Sequence, residues 1–120
     1  MSHLDRFLDG YIECAFWSSV HYASEDAEGV PFDTVDAELS DEARRQMRED
    51  CVAFIDANKD DLEGIDAAQA GHDFWLTRNR HGCGFWDRGL GERGDRLTNA
   101  AHVYGECDLY LGDDGMVYVQ

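Results

Sequence analysis

The segment from His72 to Gly89, HDFWLTRNRHGCGFWDRG, constrains the fold most strongly, because it carries two of the three tryptophans. Its first six residues place His72, Phe74 and Leu76 on one side of a period-two pattern, which is typical of a β-strand. The run RNRHG has the composition of a turn, and CGFWD resembles a returning strand. We therefore predict a β-hairpin over residues 72–89, with aromatic side chains on both faces.

Apolar residues spaced three and four apart predict helices in most of the remaining chain. Ser2 and Ser40 are suitable N-caps, and Gly71 is placed to end a helix. Gly10 weakens the first helix by about 1 kcal/mol, so packing must hold that helix in place. The predicted helices cover residues 3–17, 40–58, 60–70 and 90–105.

A loop and a second hairpin complete the predicted organisation. Residues 18–38 contain the only proline and the polar run SEDAEG, which predicts an acidic loop. Residues 107–119, CDLYLGDDGMVYV, predict a hairpin around the turn residues 113–115. The predicted fold is a single α+β domain over residues 1–120. In it an antiparallel β-sheet of two hairpins packs against three to four helices, in the order α-α-α-β-β-α-β-β.

Charge is the outlying property of the chain, since 26 acidic residues face ten basic ones and the formal net charge is −16. Residues 1–66 carry 18 acids and five bases, or −13, whereas residues 67–120 carry eight and five, or −3. A field of this sign repels nucleic acid and anionic membranes and attracts basic surfaces. Solubility or adaptation to high salt would produce the same bias, because aspartate outnumbers glutamate 17 to 9 and Lys59 is the only lysine.

The N-terminal residues MSHLDRFLDG have neither a basic start nor an apolar core, so no secretory signal is predicted. No apolar run approaches the roughly 20 residues that a membrane-spanning helix needs. The four cysteines contain no C-x-x-C pair, and we expect reduced thiols. The expected location is the cytoplasm.

Histidines and cysteines are the candidates for metal binding. Structural zinc needs four nitrogen or sulfur ligands, usually in close pairs, and only His81 and Cys83 form such a pair. The residues that could join them are His72, His102 and Cys107. Because no second close pair exists, we predict neither a metal nor a cofactor.

Two further chemistries have partial matches. Asp56, Asn58 and Asp60 fit the first positions of a calcium-binding loop, but the glycine and glutamate that should follow are missing. A small hydrolase would use Cys83 as nucleophile, His81 or His72 as base, and Asp73 as orienting acid. Nothing in the sequence sets that geometry, so the leading expectation is a protein that is not an enzyme.

The segment GHDFWLTRNRHGCGFWDRG, with GDRL and DLYLGDDG after it, resembles a family of small acidic proteins of phages and mobile elements. The shared pattern is H-D-F-W-L-T-R-N-x-H-G-x-G-F-W-D-R-G, in which Arg80 and Cys83 occupy the variable positions. The stretches LDGYIECAFWSS and MREDCVAFI resemble the same family. The resemblance carries over no catalytic role. It implies a setting in which small acidic proteins block host defence, as anti-CRISPR or anti-restriction factors.

The leading hypothesis is a phage-type inhibitor that binds a basic, nucleic-acid-binding site on a host defence protein by DNA mimicry, in the host cytoplasm. Single exposed ion pairs contribute about 0–1 kcal/mol, so the summed field would drive a salt-sensitive association. The expected contacts are outward acids of the first two helices and the loop between them: Asp5, Asp9, Glu13, Glu25, Asp26, Glu28, Glu49, Asp50 and Asp56.

The alternative is a phage accessory protein that recognises its partner through the central hairpin without mimicry. Aromatic rings beside arginines resemble a nucleic-acid-binding hairpin locally, but the net charge of −16 opposes direct nucleic-acid binding. Whether the chain forms a homodimer is left open. The contacts of this alternative are Trp75, Arg78, Arg80, His81 and Trp86.

Overall fold

The computed structural model describes residues 2–22, 24, 26–81 and 84–120, and their fold is α+β, as predicted. Five α-helices dominate the described residues, and two pairs of short antiparallel strands complete the fold. The elements in chain order are α1 (His3–Ser18), β1 (Val20–His21), β2 (Val30–Pro31), α2 (Asp41–Ala57), α3 (Lys59–Leu62), α4 (Ala67–Arg78), α5 (Glu92–His102), β3 (Leu109–Leu111) and β4 (Val117–Val119).

Both predicted N-caps are confirmed. The Ser2 hydroxyl accepts a hydrogen bond of 3.1 Å from the Asp5 amide, and the Ser2 amide donates to the Asp5 carboxylate at 3.4 Å. The Ser40 hydroxyl accepts a bond of 3.0 Å from the Ala43 amide. Each serine therefore satisfies one of the amides that a helix start leaves without a partner.

The predicted hairpin over residues 72–89 is wrong, because its first half is the C-terminal part of α4. Residues 73–78 are consecutive and all buried, so this half of the helix is covered on every side. A helix that is covered all round has no apolar stripe, and the helical period of 3.6 is then invisible in the sequence. The apparent alternation in this segment came from Asp73 and Thr77, which are polar but also buried.

The predicted third helix over residues 60–70 is also wrong, since α3 ends at Leu62 and α4 begins at Ala67. Gly71 does not end a helix but lies inside α4, against α1. A Cβ atom at Gly71 would lie 1.9 Å from the Phe7 carbonyl oxygen. A Cβ at Gly10 would lie 2.1 Å from the carbonyl oxygen of Ala68. The two glycines allow the α1 and α4 backbones to touch, and this packing replaces the helix propensity that Gly10 lacks.

The second half of the expected hairpin folds back onto α4 as a short 3-10 turn, Phe85–Asp87. The Phe85 amide donates to the Thr77 hydroxyl at 3.2 Å, and the Phe85 ring is buried beside that of Phe54. The predicted helix over residues 90–105 is present as the shorter α5. The element order is therefore helix, strand pair, four helices, strand pair, and not the predicted one.

The predicted C-terminal hairpin is confirmed as the antiparallel pair β3 and β4, in which Tyr110 lies opposite Tyr118. It also holds the chain before α2. The Ser40 amide donates to the Val117 carbonyl and the Val117 amide donates to the Glu38 carbonyl, both at 2.9 Å. These two bonds form a short parallel bridge at Leu39, so the end of the long loop is fixed to the last strand.

None of the helices in the described ranges has the length and apolar character needed to cross a membrane.

Candidate functional site

Arg78, at the end of α4, donates hydrogen bonds to four different groups. Its guanidinium donates to the Asp50 carboxylate at 2.9 Å and to the Tyr11 hydroxyl at 3.0 Å. It also donates to the backbone carbonyls of Tyr104 and Gly105, at 3.0 and 2.9 Å. One side chain thus connects α1, α2 and the chain that follows α5.

The surroundings of Arg78 identify it as a structural connection. Only 6% of Arg78 is exposed, and its guanidinium carbon lies 5.8 Å from the Phe74 ring centre and 5.6 Å from that of Tyr104. Burial raises the pKa of the Tyr11 hydroxyl well above its ordinary value, so Tyr11 stays neutral beside the cation. The charge of Arg78 is therefore matched by Asp50.

This arrangement corrects two of the predicted contact sets. Asp50 was predicted to face outward among the partner-binding acids, but it is half-buried and paired with Arg78. Trp75 and Arg78 were predicted contacts of the alternative hairpin, but both are buried. The Trp75 indole donates to the Ser18 hydroxyl at 2.9 Å, which fixes the end of α1. Of that set, Arg80, His81 and Trp86 are exposed.

A fully buried carboxylate, that of Asp73, lies about one turn before Arg78 in α4. Asp73 is fully buried and both of its oxygens accept from Arg88, at 2.8 to 3.2 Å, while Gln69 donates to one of them at 3.0 Å. Bidentate pairing satisfies a buried carboxylate that would otherwise be costly. Asp73 therefore attaches the segment after the 3-10 turn to α4, and it is not free to orient a histidine.

The described thiols lack the properties of a nucleophile. Burial raises the pKa of Cys14 to about 12 and also raises the pKa values of Cys51 and Cys107. Thiolates are the reactive form, and these environments disfavour them. Cys107 and His81 do line one cleft of about 380 Å³ with Trp75, but the raised pKa of Cys107 opposes nucleophilic use. Cys83, on which the hydrolase hypothesis depends, lies outside the described residues.

The histidines and carboxylates of the described residues form no group of three that could hold a metal ion. His72 is half-buried with its ring 5.8 Å from that of Trp17, and its Nδ1 atom has no hydrogen-bond partner within the described ranges. Asn58, a residue of the rejected calcium match, donates to the Phe54 carbonyl and closes α2.

The acidic residues are mostly free of ion pairs. Among the described residues, only Asp50, Asp56, Asp61 and Asp73 have a cationic nitrogen within 4.0 Å. The remaining described carboxylates are exposed. Their charge is therefore presented to solvent.

The longest stretch of the sequence without a basic residue is residues 7–43, which we call the anionic segment. No lysine or arginine occurs between Arg6 and Arg44, and the ten acids of this stretch have no cation of their own. Those in the described residues are all exposed, and Glu13, Glu38 and Asp41 line one open groove to which Arg44 also contributes. The acids of the segment are Asp9, Glu13, Glu25, Asp26, Glu28, Asp33, Asp36, Glu38, Asp41 and Glu42.

The predicted partner-binding acids fall into distinct groups. Asp9, Glu13, Asp26 and Glu28 lie exposed in the anionic segment. Asp5 is exposed but belongs to the capping box of α1, and Glu49 is exposed on α2, outside the segment. Asp56 is exposed and lies 3.9 Å from Lys59. Glu25 lies outside the described residues.

Comparisons with protein-family models, with curated proteins and with solved structures give no match to this chain. The resemblance to small acidic phage proteins therefore stays a prediction.

The sequence signal that we overlooked was the distribution of the bases rather than that of the acids. Arg44, Arg45 and Arg48 lie between the acids of α2, whereas residues 7–43 contain no base at all. Counting uninterrupted runs without lysine or arginine would have identified residues 7–43 directly.

Proposed function

We propose that this chain is an acidic binding protein that occupies a basic, nucleic-acid-binding site on a partner protein. The observation that carries the proposal is the anionic segment, in which every described carboxylate is exposed and none is ion-paired. Internal arginines would cancel such a field, and three of them, Arg78, Arg88 and Arg96, are engaged elsewhere, at Asp50, Asp73 and Asp61. The predicted phage setting would make the partner a host defence protein.

Charge and bonding both favour binding over catalysis. A surface of uncompensated carboxylates attracts cationic sites and repels nucleic acid itself. The buried polar groups that could have formed a reaction centre, Arg78 and Asp73, are instead saturated by structural partners. The hydrolase alternative rests on Cys83 alone, and the accessory-protein alternative retains Arg80, His81 and Trp86.

The test compares two variants of equal net charge. The first carries Asp9→Lys, Glu13→Lys, Asp26→Lys and Glu28→Lys. The second, a matched control, carries Asp87→Lys, Glu106→Lys, Asp108→Lys and Asp113→Lys. All eight positions are exposed and outside the ion pairs of the described residues.

Each protein would be immobilised and exposed to a lysate of its natural cellular setting at low and at high salt. We expect the unaltered chain and the control variant to retain nucleic-acid-binding proteins at low salt, and added nucleic acid to release them. The anionic-segment variant should retain none. Equal retention by both variants, or captured proteins that nucleic acid does not release, would contradict the proposal.

A further inference from the structure

Exposed apolar side chains are concentrated in the anionic segment. Of the large hydrophobic residues that the described part of the chain exposes, four lie between residues 17 and 30: Trp17, Val20, Tyr22 and Val30, with exposed fractions of 60, 48, 62 and 42%. The others, Trp86, Val103 and Tyr110, are separated from one another along the chain. Exposed apolar area that gathers in one place commonly marks a binding surface.

Strand pairing places two of these side chains together. Val20 lies opposite Pro31 and His21 lies opposite Val30, so Val20 and Tyr22 project from the same face of the strand pair. A Cβ atom at Gly29 would lie 2.5 Å from Val20 Cγ1 and 2.7 Å from Tyr22 Cε1. The two side chains therefore meet over Gly29 and form a continuous apolar surface, which we call the hairpin face.

The hairpin face and Trp17 are both supported by the body of the protein. The Phe32 amide donates to the Ser19 carbonyl at 2.9 Å, and the buried Phe32 ring packs against Phe16 and His21. Trp17 lies at the end of α1 with its ring 5.8 Å from that of His72. The aromatic rings are thus presented on a supported surface while most of their area stays open.

The charge around these rings selects the kind of occupant. Asp26, Glu28 and Asp33 are exposed in the same stretch, and no base lies between Arg6 and Arg44. A second copy of this chain would bring two such anionic surfaces together, and anionic membranes and nucleic acid are repelled for the same reason. Charge complementarity therefore requires a cationic protein surface.

Carboxylates beside exposed rings match one class of cationic surface best. Grooves that bind single-stranded nucleic acid combine lysines and arginines along the backbone path with aromatic side chains that stack on the bases. Duplex-binding grooves mainly contact phosphates and the edges of the bases, which stay stacked on one another. We propose that Trp17 and the hairpin face occupy the base-stacking positions of a single-strand-binding groove while neighbouring carboxylates occupy its phosphate positions. This inference rests on the proposed function and specifies its partner.

The experiment uses two peptide probes with the chemistry of such a groove. One alternates arginine with tryptophan, and the other alternates arginine with alanine at the same length and charge. Titrations at physiological salt would be made with the full chain, with the variant Trp17→Ser/Tyr22→Ser and with the control Val103→Ser/Tyr110→Ser, which removes exposed apolar groups elsewhere. Thermal unfolding of each variant checks that it remains folded.

We expect the unaltered chain and the control to bind the tryptophan probe about tenfold more tightly than the alanine probe, as ring stacking implies. The Trp17→Ser/Tyr22→Ser variant should bind both probes equally. Equal binding of the two probes by the unaltered chain, or a preference that survives in this variant, would overturn the inference. The inference would also be overturned if the unaltered chain sedimented as a dimer and the Trp17→Ser/Tyr22→Ser variant sedimented as a monomer.

The same titrations separate this inference from the proposed function. The anionic-segment variant should lose affinity for both probes, whereas the matched charge variant should not. If charge reversal weakens binding but the ring preference is absent, the proposed function stands and the single-strand groove is wrong. If both charge variants bind like the unaltered chain, the proposed function itself fails.

Discussion

Arg78 shows how one residue can decide whether the helices stay together. Its guanidinium donates hydrogen bonds to Asp50, Tyr11 and two backbone carbonyls, and only 6% of the residue is exposed. Removing one partner of a buried ion pair leaves the other charge uncompensated, which typically costs about 3–5 kcal/mol. We expect Arg78→Met to lower the free energy of unfolding by about that amount in urea denaturation.

Arg96 provides the comparison for Arg78. It makes a bidentate contact with Asp61, at 2.7 to 3.1 Å, but it is 54% exposed and solvent screens the pair. Arg96→Met should therefore change the urea midpoint far less than Arg78→Met. Equal effects of the two substitutions would mean that Arg78 is not a structural connection.

At the scale of elements, the crossing of α1 and α4 depends on glycines at the point of contact. Alanine at a glycine in an open helix usually stabilises by roughly 0.5–1 kcal/mol. At Gly71 the added methyl group would lie 1.9 Å from the Phe7 carbonyl oxygen, so the helices must separate. We expect Gly71→Ala to destabilise the protein by about 1–3 kcal/mol or more, measured by urea denaturation.

A substitution on the same helix controls for added volume. Ala68 is exposed on α4, and Ala68→Ser adds one heavy atom toward solvent, with an expected change within about 0.5 kcal/mol. A stabilising Gly71→Ala substitution would show that the backbones do not touch there.

The sequence was sufficient to predict the elements that bury only one face. The stripes and serine caps of α1 and α2, and the turn of the last hairpin, each leave a local pattern, and all three elements are confirmed. It was insufficient for the C-terminal half of α4, because burial on every side there removes the pattern that separates a helix from a strand. The bonds of Arg78 and Asp73 join distant parts of the chain, and nothing local in the sequence indicates them.

For the whole molecule, uncompensated charge should be a source of instability. Like charges on a compact protein repel one another, and salt screens them. Glu28, Asp36 and Glu38 are exposed and have no ion pair in the described residues. We expect Glu28→Gln/Asp36→Asn/Glu38→Gln to raise the melting temperature at low salt and to reduce its increase with added sodium chloride.

Neutralising Asp61 should have the opposite effect on the melting temperature from neutralising Glu28, Asp36 and Glu38. Its hydrogen bond with Arg96 holds its pKa below the ordinary value of 3.8, so the pair stabilises the fold at neutral pH and loses that effect as the pH falls through the lowered pKa. Asp61→Asn should therefore lower the melting temperature at pH 7 but not in strong acid. If the triple neutralisation also lowered it at pH 7, those carboxylates would be engaged rather than free.

The bridge between residue 39 and the last strand joins chain segments that are far apart in sequence. A protease that cut soon after Gly105 would remove the two backbone bonds that Val117 makes to Glu38 and Ser40. The acid-bearing stretch would then lose its downstream attachment while keeping every one of its own residues. Tolerance to trimming at the carboxyl end is therefore expected to be poor, even though the proposed binding residues lie elsewhere in the chain.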